Sequence, residues 1–300
     1  QDVHSFPTRR SSDLVDSMNF VPLKSGIFQM GDAHGQGFIE DHEAPPVMKK
    51  VLAFEIADTT VTNRQFKAFV DATGYTTTAE TIGDSYVFHL FVEPEKREEY
   101  AHVSGSPWWL LVPGACWNHP TGPESSIDDV MDHPVVHVSL QDALAYCDWA
   151  KVKLPTETQW EYAARGGTMT QFPWGDELEQ DGEFHANTWQ GDFPNTNTKA
   201  DGYLGTAPVK SFEPNGYGLY QMIGNVWEWC CNHRGIPFEE IEEDASRPIN
   251  FEYEYAIRGG SFLCHCSYCN RYRVAARNGA LWDSTSSHLG FRCVRNLGGR

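Results

Sequence analysis

An α+β fold in one compact domain, poor in regular secondary structure, is predicted by three features of the 300-residue sequence. Helix-capping signals mark only a few helices. Short β-like runs are scattered among them. Long turn-rich stretches separate the two, with 26 Gly, 17 Pro and 10 Trp spread throughout and no repeat, low-complexity linker or sustained heptad.

The elements follow in order. Residues 1–17 (QDVHSFPTRRSSDLVDS) lack the apolar core of a signal peptide and read as disordered. Part of that stretch also resembles translated sequencing-adapter sequence, so folding is expected over 18–300. A helix from about Asn63 to Thr73 turns Phe66, Phe69 and Val70 inward, and Gly74 stops it. VVHVS (135–139) reads as a strand. Ser139 with Asp142 opens a second helix, carrying Ala143, Tyr146, Cys147 and Ala150 at helical spacing. Thr156 with Gln159 forms a T-x-x-Q capping box ahead of the buried stripe Trp160, Ala163 and Ala164, and Gly166-Gly167 ends that helix. YAIRGGSF (255–262) and LGFRCV (289–294) read as β-like pieces.

Composition bounds the function. With 23 Lys+Arg against 41 Asp+Glu the net charge is −18, which excludes a nucleic-acid surface and suits a basic or neutral partner. No run approaches the ~20 apolar residues of a membrane span. A chain of this length buries roughly 75% of its unfolded surface and needs no disulfide stapling. Eight cysteines are too few for a disulfide framework, yet Cys264, Cys266 and Cys269 fall close together. A cytoplasmic monomer is expected.

Chemistry concentrates in RGGSFLCHCSYCNRYRVAAR (258–277). Arg271, Arg273 and Arg277 are expected to favour thiolate on the nearby cysteines. Zinc would need four ligands from the cramped Cys264, His265, Cys266 and Cys269. Cys266-Ser-Tyr-Cys269 has C-x-x-C spacing without the strand and helix of a redox motif. Copper(I) on two thiolates is a third reading. It requires a bend, because in an extended strand Cys264 and Cys266 share a face that Cys269 does not. A buried disulfide or inert thiols stay open beside it. Elsewhere, the stretch 185–203 is dense in hard oxygen ligands of the kind calcium takes, but it lacks the D-x-D-x-D-G pattern, so spacing favours a polar loop.

RGGSFLC-x4-C with NRYRVAAR (270–277), together with LPTETQWEYAARGG (154–167), FPWGDE (172–177), NGYGLYQMIGNVWEW (215–229), HPVVHVS (133–139) and LGFRCV (289–294), closely resembles the formylglycine-generating enzymes. The likeness runs from about Val21 to Val294. It implies a C-type-lectin-like, sulfatase-modifying factor fold ordered by calcium. It also implies oxidation of a cysteine in a C-x-P-x-R sequence of a sulfatase-type polypeptide to Cα-formylglycine, with molecular oxygen and copper.

Carried over by motif, Cys264 and Cys269 are the implied copper ligands, with Ser261 and Trp227 lining the oxygen and metal pocket. Trp108, Tyr268 and Ser85, with Asp84 beside them, are the implied substrate contacts. One implied calcium site uses Asn187, Thr188, Asp201 and Tyr203. Another uses Gln221, Gly224, Val226 and Glu228, where Gln221 replaces the family's usual Asn, and a solvated or salt-bridged Glu228 is the alternative. Cys266 stands where a charged residue is usual, so a Cys266–Cys269 disulfide is a threat to the site. One family disulfide is lost at both ends, at Ala164 and Val274, which implies the prokaryotic type. Cys147 and Cys293 match the other. The adjacent Cys230 and Cys231 stay unassigned. Two other functions compete: an iron-dependent sulfoxide synthase, usually preceded by a helical domain absent here, and a non-catalytic recognition module of the same scaffold.

Overall fold

Four short helices begin in the same way, each with a reciprocal capping box. The computed structural model describes residues 18–297, so the expectation for 1–17 lies outside the described residues. Helix α1 (Asn63–Thr73) is capped by Thr62 and Gln65, α2 (Thr78–Ile82) by Thr77 and Glu80, α3 (Leu140–Ala150) by Ser139 and Asp142, and α4 (Glu157–Arg165) by Thr156 and Gln159. Each box satisfies two backbone N–H groups that a helix start leaves unpaired. Gly74, Gly83 and Gly166 end α1, α2 and α4 in the left-handed conformation. Helix α2 and a fifth, α5 (Ile241–Ala245), were not expected. Both are too brief to show an apolar period.

The strands are as scattered as the sequence suggests. β4 (Phe54–Ala57) lies between β1 (Phe20–Leu23) and β16 (Val294–Asn296), so the two ends of the described chain share one antiparallel sheet. β2 (Gly26–Met30) pairs with β3 (Val47–Val51). β7 (Ser106–Pro113) lies between β5 (Asp84–Phe88) and β6 (His102–Val103). Two short pairs follow, β8 (Glu179–Gln180) with β9 (Glu183–Phe184) and β10 (Gly191–Asp192) with β11 (Thr196–Asn197). The largest sheet runs in the order β14 (Asn278–Leu281), β13 (Glu254–Arg258), β12 (Trp227–His233), β15 (Leu289–Gly290), and only its β12–β15 edge is parallel.

Three expected β-like runs are corrected or trimmed. VVHVS (135–139) forms no strand: His137 has φ +58°, which breaks an extended run. YAIRGGSF keeps its strand only to Arg258, because Gly259 and Gly260 turn away at φ +97° and +73°. LGFRCV divides between β15 and the first residue of β16.

One large core fills the space between helices and sheets. Phe66 and Phe69 of α1 pack against Tyr146 of α3 and Trp149, while Phe291 closes on Phe66 and Tyr146. A second, aromatic cluster holds Phe88, Trp109, Trp189, Phe262 and Leu263. The turn that carries the cysteines joins these two clusters, since Cys264 and Cys269 belong to the first and Phe262 and Leu263 to the second.

Candidate active site

The candidate site starts at the end of β13. Arg258 is fully buried between two carboxylates of α4, reaching Glu157 at 2.9 Å and Glu161 at 2.6 Å. Its Nη2 also donates to the Val274 carbonyl at 2.8 Å, which closes the base of the loop 259–273. Within that loop Gly260 lies against the opposite limb: a Cβ there would come within 3.0 Å of Tyr272 and 3.1 Å of the Arg271 carbonyl. Only a glycine permits this approach at φ +73°.

The required bend is present. The N–H groups of Tyr268, Cys269 and Asn270 all converge on the His265 carbonyl at 3.0, 2.9 and 3.2 Å, and Asn270 takes the left-handed conformation. This turn brings the Cys264 and Cys269 sulfurs to 2.9 Å. The separation exceeds the ~2.05 Å of a disulfide bond, and all eight cysteines are free. Cys264 is 2% exposed and Cys269 6%, whereas Cys266, Ser267 and Tyr268 between them face solvent. The pair therefore sits directly beneath an exposed segment.

The two thiols differ in acidity. Burial pushes Cys264 well up, with its neighbour Cys269 adding to the effect. Cys269 is held below the usual thiol value by the hydrogen bond from Cys264, against burial, with help from the backbone N–H and charge of Arg271. The two directions favour Cys264 as the donor and Cys269 as the acceptor of the hydrogen bond they share. Ser261 is fully buried, and its backbone N–H points at the Cys264 sulfur from 3.4 Å. Its hydroxyl accepts from the Leu263 N–H instead. Trp227 is buried in the principal core and its backbone N–H donates to the His288 carbonyl.

Two expectations about this segment are corrected. Of the three arginines downstream, only Arg271 acts on the sulfurs. Arg273 is bound to Glu43 at 2.8 Å, and Arg277 to Glu157 at 2.7 Å. These buried pairs neutralise both charges and hold the segment against α4 and the loop before β3. The cramped zinc arrangement is not assembled either: His265 turns its ring to Ser267 at 2.7 Å, Cys266 is exposed, and among the described residues no three His, Cys, Asp or Glu side chains form a metal cluster.

Beside the sulfurs stands an aromatic wall. Tyr268 meets Trp108 edge-on at 5.1 Å between centroids and stacks on Phe193 at 4.3 Å. Trp189, whose backbone N–H donates to the Cys264 carbonyl, packs edge-on to Phe193. The indole N–H groups of Trp108 and Trp189 are buried without a partner. Phe193 and Trp189 were missed in the sequence, where they were read only as part of a polar stretch. In WQGDF the two rings flank β10.

Ser85 is not brought to this wall. It is buried, 2.7 Å from both the His137 Nδ1 and the Thr285 hydroxyl, and therefore belongs to an internal polar network rather than to a peptide-facing surface. Asp84 is half-buried at the far end of β5, opposite Pro113, whereas Trp108 lies toward the Phe88 end.

The calcium expectations divide. Asn187 is fully buried and its Oδ1 has no partner, and the Asp201 carboxylate accepts from the Thr188 and Tyr203 N–H groups at 3.0 Å each, which ties three of the four residues together. The Gln221 Oε1 is likewise buried without a partner. Glu228 is different: both carboxylate oxygens engage Arg292, at 2.9 and 3.0 Å, and one also accepts from the Trp160 indole at 2.8 Å. The salt-bridged alternative describes Glu228, and its side chain does not fit a cation site with Gln221, Gly224 and Val226.

Cys147 and Cys293 lie 4.0 Å apart in the core. Ala164 and Val274 are both buried, and small apolar side chains fill those places.

Comparison with known proteins agrees with this architecture. The family model described as "Sulfatase-modifying factor enzyme 1-like domain" matches residues 7–297. A "Formylglycine-generating enzyme" of Thermomonospora curvata is 50% identical over 293 residues, covering 96% of each chain. A Bos taurus protein named "Inactive C-alpha-formylglycine-generating enzyme 2" is 39% identical, covering 94% of this chain and 89% of its own. Among solved structures, PvdO from Pseudomonas aeruginosa superposes with a TM-score of 0.68 at 23% identity, covering 99% of this chain and all of the other, a likeness of fold. The chain belongs to the family of sulfatase-modifying factor enzyme 1-like domains.

Proposed function

We propose that this protein oxidises a cysteine of a target polypeptide, within a C-x-P-x-R sequence, to Cα-formylglycine. The observation that carries the reading is the convergence of the Cys264 and Cys269 sulfurs at 2.9 Å beneath an exposed segment. The overall change replaces the substrate CH2–SH by CHO. It consumes one O2 with two electrons and two protons from an external reductant, and it releases hydrogen sulfide and water.

The donor set fits copper(I), a soft ion that two thiolates bind well. Cys264 and Cys269 would hold it, and bound copper would supply the activation of oxygen. The remaining work falls to the chain's own groups. The hydrogen bond between the two sulfurs lowers the cost of ionising Cys269. The Ser261 N–H directs its dipole at the other. Trp108, Tyr268 and Phe193 offer flat apolar faces to a substrate proline, and the half-buried Trp108 carries an unpartnered indole N–H beside them. The acidic balance of the chain suits the substrate arginine.

Calcium fits less evenly. Asn187, Thr188, Asp201 and Tyr203 are the better-supported set, because a buried unpartnered oxygen calls for a cation or a donor.

The test is mass analysis of a C-x-P-x-R peptide incubated under air with the copper-loaded protein. The expected product shows the mass of CHO in place of CH2SH, and C264S and C269S should each lower turnover by at least about a thousandfold. Peptide that binds but keeps its mass would establish the recognition-module reading instead.

A further inference from the structure

An open groove of about 500 Å³ lies beside β7, outside the site described above. Its floor is apolar: Phe91, Val92, Tyr100 and Val112 belong to a small cluster with Val87 and Leu110. Its rim is charged, with Glu93 and Lys96 on one bank and Glu124 on the other. Each bank is fixed by its own hydrogen bonds. Arg97 Nε donates to the Val92 carbonyl at 2.9 Å, and the Lys96 N–H donates to the Glu93 carbonyl at 2.9 Å. On the other side, Ser125 donates both its N–H and its hydroxyl to the Gly122 carbonyl, and His119 Nδ1 meets the Ser125 carbonyl at 2.6 Å. A cleft formed before its ligand arrives loses little entropy on binding.

The rim holds more carboxylate than ammonium. Lys96 lies 3.1 Å from Glu93 and 4.0 Å from Glu124, so one cation is divided between two anions. Nearby along the chain, Glu95, Glu98 and Glu99 are exposed and make no ion pair among the described residues. Exposed pairs of this kind are weak, so a second cation can enter between Glu93 and Glu124 without displacing a strong contact. An apolar floor under an acidic rim suits a long basic side chain, whose methylenes cover the floor while its charge meets the rim.

The groove is continuous with the aromatic wall beside the sulfurs. Phe91 packs against Phe262, two positions before Cys264, at 5.7 Å between centroids, and it also lines the groove. Strand β7 carries Trp108 of the wall and Val112 of the groove floor. Four residues of strand span about 13 Å, at roughly 3.3 Å each. An extended polypeptide whose proline rests on the wall covers that distance in about four residues. The groove therefore falls about two residues outside C-x-P-x-R, whichever way the target chain runs.

We propose that this groove binds the stretch of the target polypeptide just outside the C-x-P-x-R motif, taking a basic side chain between Glu93 and Glu124. The inference rests on the peptide-oxidation reading above and adds to it a second point of contact, away from the sulfurs.

The test is fluorescence anisotropy of labelled peptides with the metal-free, full-length protein under anaerobic conditions. Three peptides share one C-x-P-x-R sequence: one carries three lysines before it, one carries three lysines after it, and a control carries serines on both sides. At least one lysine peptide is expected to bind the wild type about three- to tenfold more tightly than the control, the scale of one or two exposed ion pairs. That gain should fall below about twofold in the E93Q/E124Q double variant and grow in K96Q, which removes the competing ammonium. The three side chains are at least 43% exposed, so these variants should fold. No gain with either lysine peptide would overturn the proposal. So would a gain that survives intact in E93Q/E124Q, which would assign it to the net charge of −18, or a K96Q protein whose gain is no larger than the wild type's. Conversion of the control peptide under air is scored separately by mass. Failure there refutes the oxidation reading, whereas the groove is judged on the anisotropy series alone.

Discussion

At the residue scale, three cysteines within one short stretch play unequal parts. Cys264 and Cys269 share a hydrogen bond in the interior, while Cys266 faces solvent with its sulfur 3.9 Å from the His265 ring. Spacing alone left the partner of Cys269 open between Cys264 and Cys266, and only the family resemblance named Cys264, the residue found beside it. That depends on the His265 carbonyl collecting three N–H groups and on the left-handed Asn270, neither of which has a sequence signature. Cys266→Ser is therefore expected to leave Cu(I) affinity within about twofold of the wild type. In peptide mapping of the metal-free protein after brief alkylation, Cys266 should be modified before either partner, because exposure governs access to a thiol. Modification of Cys264 first would contradict the assignment.

At the element scale, the α4 motif was legible as a helix with its caps, and its apolar stripe was placed correctly. Its acidic face was not. Glu157, Glu161 and Arg165 line a polar interior seam, where Arg258 and Arg277 meet them. A sequence pattern reports charge at a helical position without saying whether an opposite charge from elsewhere in the chain will cover it. Breaking a fully buried pair by removing one partner costs about 3–5 kcal/mol. Arg258→Met should destabilise the protein by that order, measured as a fall in the urea midpoint. It should also weaken Cu(I) binding, because the Val274 carbonyl loses the donor that closes the base of the cysteine loop. The false strand at 135–139 has the same origin. Alternating apolar residues suggested extension, but His137 bends the backbone so that its ring can bridge Ser85 and the Pro120 carbonyl.

At the scale of the whole molecule, that buried histidine ties stability to pH. Burial lowers His137 to about 4, against an ordinary value near 6.5, with the Pro120 carbonyl opposing. Between those values the unfolded chain binds a proton that the folded protein excludes. The His137 contribution is therefore complete above about pH 6.5 and declines as pH falls, by about 3 kcal/mol at pH 4, and the buried His288, lowered to about 3, acts in the same direction. Urea midpoints measured across this range should fall, and His137→Asn should flatten the slope even if it lowers the plateau. An unchanged slope would remove His137 from the account. The fold class, the low content of regular structure and the main helices could be read from caps and periodicity. The pairing of the chain's ends could not, because β1, β4 and β16 are too short to announce their partners.

That pairing has a consequence for how the protein is made. The carboxylates at 41 and 43 must meet arginines at 271 and 273, and β4 finds β16 only near the end of the chain. During synthesis, an early segment emerges with acidic side chains whose answering charges do not yet exist. A ribosome-bound fragment ending before residue 258 would have neither cysteine of the pair, so the two sulfurs meet only after the segment 264–269 has been delivered.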